Sequence, residues 1–345
     1  MTYMPESSAV AAATISAAHA VAVPHAALER RRDGYALVFA SASWRHLQTW
    51  ISLAGELPPS TVGEDDAGRV LDNIREAASA FGSPAMVLQQ LRDQPAILSG
   101  DLAPEAPYAA VIWWTGGLQE AAGMAASVFQ RMTTPHTSAA DIRSHLRLLA
   151  AIADQARRRV APLLDGLTDA RVALLETNRA LSDASVRVGD MLLHRQDAVT
   201  GAHERVSRLE RQLARLGLFN AHRKQAVLSR LHAMQRDRAA AMQREHCIEL
   251  QLRAFDALLD EGAWIGPALA DAIESLEKLR TAWTRFGAGM TQLAVESADA
   301  ELADGRWLER TLGPAEAVRQ WSALERAARD FMADLLPAAH QATRY

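Results

Sequence analysis

Between Arg131 and Ala254 the apolar positions fall into steps of seven. Leu174, Leu181 and Val188 are seven apart, and Leu192, Val199, Val206 and Leu213 resume the spacing after one step of four. A heptad repeat keeps one face of a helix in register, and the step of four is a stutter that alters the local winding. On the polar side, Asp169, Glu176, Asp183, Asp190, Asp197 and Glu204 recur every seven residues. The pattern predicts a helix from Ala139 to about Leu216, capped by Ser138, with Pro162 and Gly166 as its kink. Gly217-Leu218-Phe219-Asn220 is then a turn. A returning helix follows, lined by Val227, Leu228, Leu231, Met234, Met242, Ile248 and Leu252, and ends near Asp260-Glu261-Gly262.

The flanks break into shorter amphipathic pieces. Ser43 to Leu53 reads as a helix stopped by Gly55-Glu56-Leu57-Pro58-Pro59, and Glu64 to Phe81 as one stopped by Gly82-Ser83-Pro84. Ala85 to Leu91 is a short helix, and Tyr108 to Met132 a longer one with a break at Gly116-Gly117. Pro267 opens a helix to about Leu302, and Ala315 to Leu336 is the last. Alternating apolar runs are absent, so no strands are expected. The fold class is all-α: an elongated helical bundle with a long antiparallel coiled-coil hairpin. The expected division is an Ala-rich lead-in at 1–42, weakly ordered or helical; an aromatic-rich tail bundle from 43–138 plus 262–345; and the hairpin at 139–261, with its tip at 217–222.

Composition sharpens that division. All eight Trp lie outside 131–254, at 44, 50, 113, 114, 264, 283, 307 and 321, and Phe219 is the only Phe inside it. The net charge of −4 is too small to argue for nucleic acid. Its distribution says more: Arg211, Arg215, Arg223, Lys224, Arg230 and Arg236 form a run with no acid among them. Ser7 to Leu28 lacks any Asp, Glu, Lys or Arg, and Ala20-Val21-Ala22 resembles a cleavage site. A positively charged n-region is missing, however, so no cleaved signal peptide is expected.

Motifs for chemistry are wanting. There is no phosphate-cradling Gly-rich loop, no Gly-x-Ser-x-Gly elbow and no His-Glu-x-x-His helix. Gly287-Ala288-Gly289 reads as close helix packing. Asp141 with His145, and His194 with Asp197, are single helical turns with no third ligand at helical spacing, and read as exposed ion pairs. The single cysteine, Cys247, excludes an internal disulfide and reads as a small buried residue beside an exposed His246. The chain is expected to be no enzyme, with no cofactor, metal, small-molecule substrate or nucleic-acid partner.

Two places could meet a membrane. At the hairpin tip, Leu216, Leu218 and Phe219 stand among Arg211, Arg215, Arg223 and Lys224, a combination suited to anionic lipid or to a partner chain. The alternative is the segment from Tyr108 to Met132, represented by Tyr108, Val111, Ile112, Trp113, Trp114, Met124 and Phe129. Gly116, Gly117, Gly123 and Glu120 make it a marginal span. The acidic ladder reads as a solvated face, with pairing between subunits as the second reading.

Trp44-Arg45-His46-Leu47-Gln48-Thr49-Trp50 followed by Gly55-Glu56-Leu57-Pro58, and Leu276-Glu277-Lys278-Leu279-Arg280-Thr281-Ala282-Trp283 with Phe286, Met290 and Leu293, resemble tail-helix segments of the cytolysin A-type α-helical pore-forming toxins, in the α-xenorhabdolysin branch. The order of elements is similar too: tail helices, long helix out, tip, long helix back, tail helix. In one respect the chain departs from that pattern. Inserting members carry a clearly hydrophobic head between the long helices, and here the tip is four residues flanked by Arg. The resemblance implies a subunit of a multi-component pore-forming toxin that assembles on target-cell membranes with a second toxin subunit or as a homo-oligomer. Such a chain is soluble when made, secreted, then found at the target-cell membrane. A soluble coiled-coil scaffold or adaptor, resident in the bacterial cytoplasm, is the alternative.

Overall fold

A computed structural model describes residues 17–31, 34–37, 42–57, 66–82, 106–134, 137–216 and 221–342. Its elements in chain order are α1 (Ala17–Ala20), α2 (Ala22–Ala27), β1 (Leu28–Arg31), β2 (Gly34–Leu37), α3 (Ala42–Glu56), α4 (Asp66–Phe81), α5 (Pro107–Met132), α6 (Ala139–Arg215), α7 (Ala221–Gly262), α8 (Ile265–Glu296), α9 (Asp299–Leu302), α10 (Gly305–Leu312) and α11 (Pro314–Ala342). The fold is all-α apart from one small β-hairpin. Two compact units divide the chain. The first comprises Met1–Ser52, Ala78–Leu174 and Trp264–Tyr345; the second comprises Leu53–Ala77 and Leu175–Ala263.

Every Trp belongs to the first unit, and Trp44, Trp50, Trp283 and Trp321 are fully buried there with Tyr108, Phe81, Phe129 and Phe286. At its centre the Trp321 ring lies 5.2 Å from Phe286 and 5.5 Å from Trp283, centroid to centroid. Such tilted pairs add to the area they bury. Helix α11 runs along α5, and α8 packs on α1 and α2. The Trp321 indole Nε1 donates to the Ala20 carbonyl at 2.9 Å, which ties α1 into the core. Ala20, Val23 and Ala27 are buried alongside. The segments that carry the family resemblance supply core residues: Trp44, Trp50, Leu276, Leu279, Trp283, Phe286, Met290 and Leu293.

Three local expectations are corrected. First, strands do occur: β1 and β2 pair antiparallel, Leu28 opposite Leu37 and Arg31 opposite Gly34. Four-residue strands rich in Arg and Glu leave no alternation long enough to read. Second, α5 runs unbroken through Gly116-Gly117. The glycines make room rather than a break. A Cβ on Gly117 would collide with the Arg159 guanidinium, which lies over the Trp113 ring at 5.2 Å. Third, Cys247 is exposed, not buried. Gly287 does pack closely, since a Cβ there would stand 3.1 Å from that of Ala153.

Helix α6 starts as its sequence dictates. The Ser138 Oγ accepts from the Asp141 N–H at 3.2 Å, and the Asp141 carboxylate accepts from the Ser138 N–H and Oγ at 3.2 and 2.6 Å. This reciprocal cap satisfies end groups of the helix. Asp141 is therefore a capping residue first, with His145 only a minor electrostatic neighbour.

The second unit contains α7 and the part of α6 from Leu175 on, which together form a hairpin. From residue 175 to 215 the α6 portion alone rises about 60 Å at ~1.5 Å per residue. The register is fixed at two heights. A Cβ on Gly262 would run into the Asn178 side chain, and Arg238 Nη1 lies 3.5 Å from His203 Nδ1. Each step along α6 towards the tip is thus matched by one step back along α7. Leu181, Ala184, Val188, Ala202 and Val206 are buried from α6, and Val227, Leu231, Phe255 and Leu258 from α7. Leu192, Val199 and Leu213 are half-buried members of the same seam.

Candidate membrane-facing tip and partner surface

The tip sits where both helices of the hairpin shed their acids. Arg211, Arg215 and Arg223 are exposed, and Leu216 and Lys224 half-buried. Leu218 and Phe219 lie outside the described residues. Arg211 Nε donates to the Ser207 carbonyl one turn back at 3.2 Å, and the Leu216 N–H reaches the Leu213 carbonyl at 3.2 Å, closing the end of α6. Three of these cations therefore face solvent, and no carboxylate occurs in the sequence between Arg211 and Arg236. Such a cluster attracts anions, and salt weakens the attraction because exposed charges are screened over about 8–10 Å.

The alternative segment is differently placed. Tyr108, Val111, Ile112, Trp113, Trp114 and Phe129 are all at most 5 % exposed, within the first unit, and only Met124 is open, at 42 %. The Tyr108 hydroxyl accepts from Gln48 Nε2 at 3.0 Å, and burial pushes its phenol well above the ordinary range. As it stands, α5 offers little apolar surface to a membrane. No helix among the described residues is long and apolar enough to cross one.

The acidic ladder is exposed at all six positions. The sequence pattern does not single out what lies beside it. Val186 and Leu193 on α6 are 66 % and 62 % exposed, and Leu250 on α7 is 50 % exposed. Each stands five residues from a buried seam position (Leu181, Val188 and Phe255), which is close to the opposite side of a helix. That offset from the seam is the signal that could have identified them.

The described residues hold no group of three or more His, Cys, Asp or Glu that could bind a metal. A groove of about 690 Å³ is lined by Tyr35 and by Glu316, Arg319, Gln320 and Arg326 of α11. Its charges are largely spent on each other, since Arg319 bonds Glu316 and Gln320 donates to Glu316 at 2.7 Å.

No family model matches the chain, and no curated protein does. Solved structures do. The pre-pore AhlB of the tripartite alpha-pore forming toxin AHL from Aeromonas hydrophila is 11 % identical, with a TM-score of 0.58 over 92 % of this chain and 99 % of that one. Soluble SmhA of the tripartite alpha-pore forming toxin Smh from Serratia marcescens is 11 % identical, with a TM-score of 0.53 over 95 % of this chain and 97 % of that one. Across nearly its whole length, the chain has the all-α fold of these tripartite pore-forming toxin subunits.

Proposed function

We propose that the chain is a subunit of a multi-component α-helical pore-forming toxin, which assembles with partner chains on a target membrane. The observation that carries the reading is the shared fold over 92 % of the chain with a subunit in its pre-pore form. The tip supports a surface role. Arg211, Arg215, Arg223 and Lys224 present cations to solvent at the end of a long hairpin, where each basic group near an anionic bilayer contributes about 1 kcal/mol. Arginine in place of an apolar tongue suits contact with headgroups, or with a partner already there, better than entry into the hydrocarbon. In this reading α5 remains packed within its unit during first contact.

The test uses vesicles of phosphatidylcholine with and without phosphatidylglycerol, loaded with a self-quenched dye. The full chain should bind the anionic vesicles, less so as salt rises. It should release dye together with a second subunit of a tripartite α-helical toxin. A chain that leaves anionic vesicles unbound even at low salt overturns the reading and favours a scaffold role.

A further inference from the structure

Adjacent basic residues occur at three places in the sequence: Arg30-Arg31-Arg32, Arg157-Arg158-Arg159 and Arg223-Lys224. Their backbones differ. Arg157 to Arg159 lie inside the 77-residue α6, where Arg157 and Arg158 both pair with Asp154 and Arg159 lies over the Trp113 ring. Arg223 and Lys224 lie in the first turn of α7. Arg30 and Arg31, by contrast, end strand β1 and are extended.

Extended chain is what an endoprotease takes up. Its cleft receives the substrate as an added strand, through backbone hydrogen bonds along an open edge, whereas a helix must first be unwound. Strand β1 meets that demand. Among the described residues it pairs on one side with β2, and β2 is the strand that packs on α11. So β1 is the outer strand of the ribbon, with its second edge open. Glu29 and Arg30 are exposed there. The ribbon has only four residue pairs, and a two-stranded hairpin is marginal in water, so it opens locally at small cost.

We propose that Arg30 and Arg31 are a processing site for a serine endoprotease specific for paired basic residues, which cuts after Arg31. Carboxylates in the cleft of such an enzyme hold the two guanidinium groups. Hydrolysis breaks the C–N bond between Arg31 and Arg32. Water supplies a hydroxyl to the Arg31 carboxyl and a hydrogen to the new amino terminus at Arg32. The cut severs α1 and α2 from everything downstream. They stay seated on α8, α10 and α11 through buried Ala20, Val23 and Ala27 and the bond from Trp321 to the Ala20 carbonyl. Before the cut, the covalent link through β1 and β2 holds them at high effective concentration; after it they exchange. No membrane is needed for either step.

The full chain tests this with a paired-basic-specific serine endoprotease, cut positions being read by mass spectrometry. Rates are divided by those of unstructured peptides spanning each of the three basic runs. On that scale the cut after Arg31 should be at least about tenfold faster than cuts at Arg157–Arg159 or Arg223-Lys224. Arg30→Gln with Arg31→Gln should remove it, and Arg223→Gln with Lys224→Gln should leave it at the parent rate. A first cut elsewhere, or a double Arg30 and Arg31 variant cut as fast as the parent, overturns the site. After the cut, the upstream fragment should co-elute with the remainder and give way to an excess of a fluorescent peptide of residues 17–31. The uncut chain should take up none. Equal uptake by cut and uncut chains overturns the release of α1 and α2.

Discussion

Trp321 and Trp283 touch each other in the core of the first unit and differ in one respect. The Trp321 Nε1 donates to the Ala20 carbonyl at 2.9 Å, whereas the Trp283 Nε1 is buried without a hydrogen-bond partner. The same substitution at the two sites therefore isolates that bond. Trp321→Phe removes the donor and leaves an acceptor on a fully buried residue, at a cost of about 1–3 kcal/mol. The smaller ring gives up apolar contact worth roughly 1 kcal/mol at ~25 cal/mol/Å², with a further contribution from any space left behind. The total is about 2–4 kcal/mol. Trp283→Phe loses similar contact but relieves an unpartnered N–H, so its cost should be lower by about 1–3 kcal/mol. Because every Trp lies in the first unit, tryptophan fluorescence during urea unfolding reports that unit by itself. Hydrogen exchange in residues 17–27 should accelerate in Trp321→Phe and stay near the parent rate in Trp283→Phe. Equal destabilisation by the two variants, with equal exchange, would refute the account of how α1 is held.

Other outcomes follow from the same geometry. In the hairpin, Leu181→Ala should cost about 2–5 kcal/mol, because Leu181 is fully buried, and Leu192→Ala clearly less, because Leu192 is half-buried; thermal unfolding by far-ultraviolet dichroism ranks them. Arg215→Glu with Arg223→Glu and Lys224→Glu should abolish binding to anionic vesicles at unchanged helicity, while Asp183→Lys should not; a tip variant that binds like the parent removes the tip as the contact. The Asp141 carboxyl is held below the usual carboxylate range, chiefly by its hydrogen bonds from Ser138. A depressed folded value stabilises above the unfolded pKa, and that contribution is lost as pH falls through the folded one. Ser138→Ala should return the Asp141 titration, followed by carboxyl NMR, towards the ordinary value. Gly117→Val should destabilise the first unit, since the branched side chain must displace Arg159 from Trp113; an unchanged midpoint of unfolding would count against that packing.

Most helices were legible because their signals are local. Heptad spacing gives α6 over scores of residues, spaced apolar residues give α7, and Ser138 marks the start of α6 to within one residue. What stayed hidden depends on partners distant in sequence. Gly116-Gly117 reads as a break until Arg159, on another helix, is seen to fill the space beside it. The strands at Leu28–Arg31 and Gly34–Leu37 are too short for a period-2 signal, and β2 is held by packing on α11, near the other end of the chain. Cys247 reads as buried from its residue type, but α7 turns it to solvent. At the tip, the basic residues are plain in the sequence, whereas nothing local says that α5, with its two adjacent tryptophans, is enclosed by its own unit.

The outer faces of the hairpin raise a question of economy. A two-helix seam constrains only the positions that meet, so folding asks merely that the opposite side be polar. Acids at every seventh position exceed that requirement. Arg179 and Arg187 each lie four residues from Asp183, where intrahelical ion pairs form readily, yet neither pairs with it among the described residues. Single exposed leucines beside such charges are ordinary on a protein surface. A solvated face accounts for the acids, and Leu193 and Leu250 are two of several exposed apolar side chains on these helices.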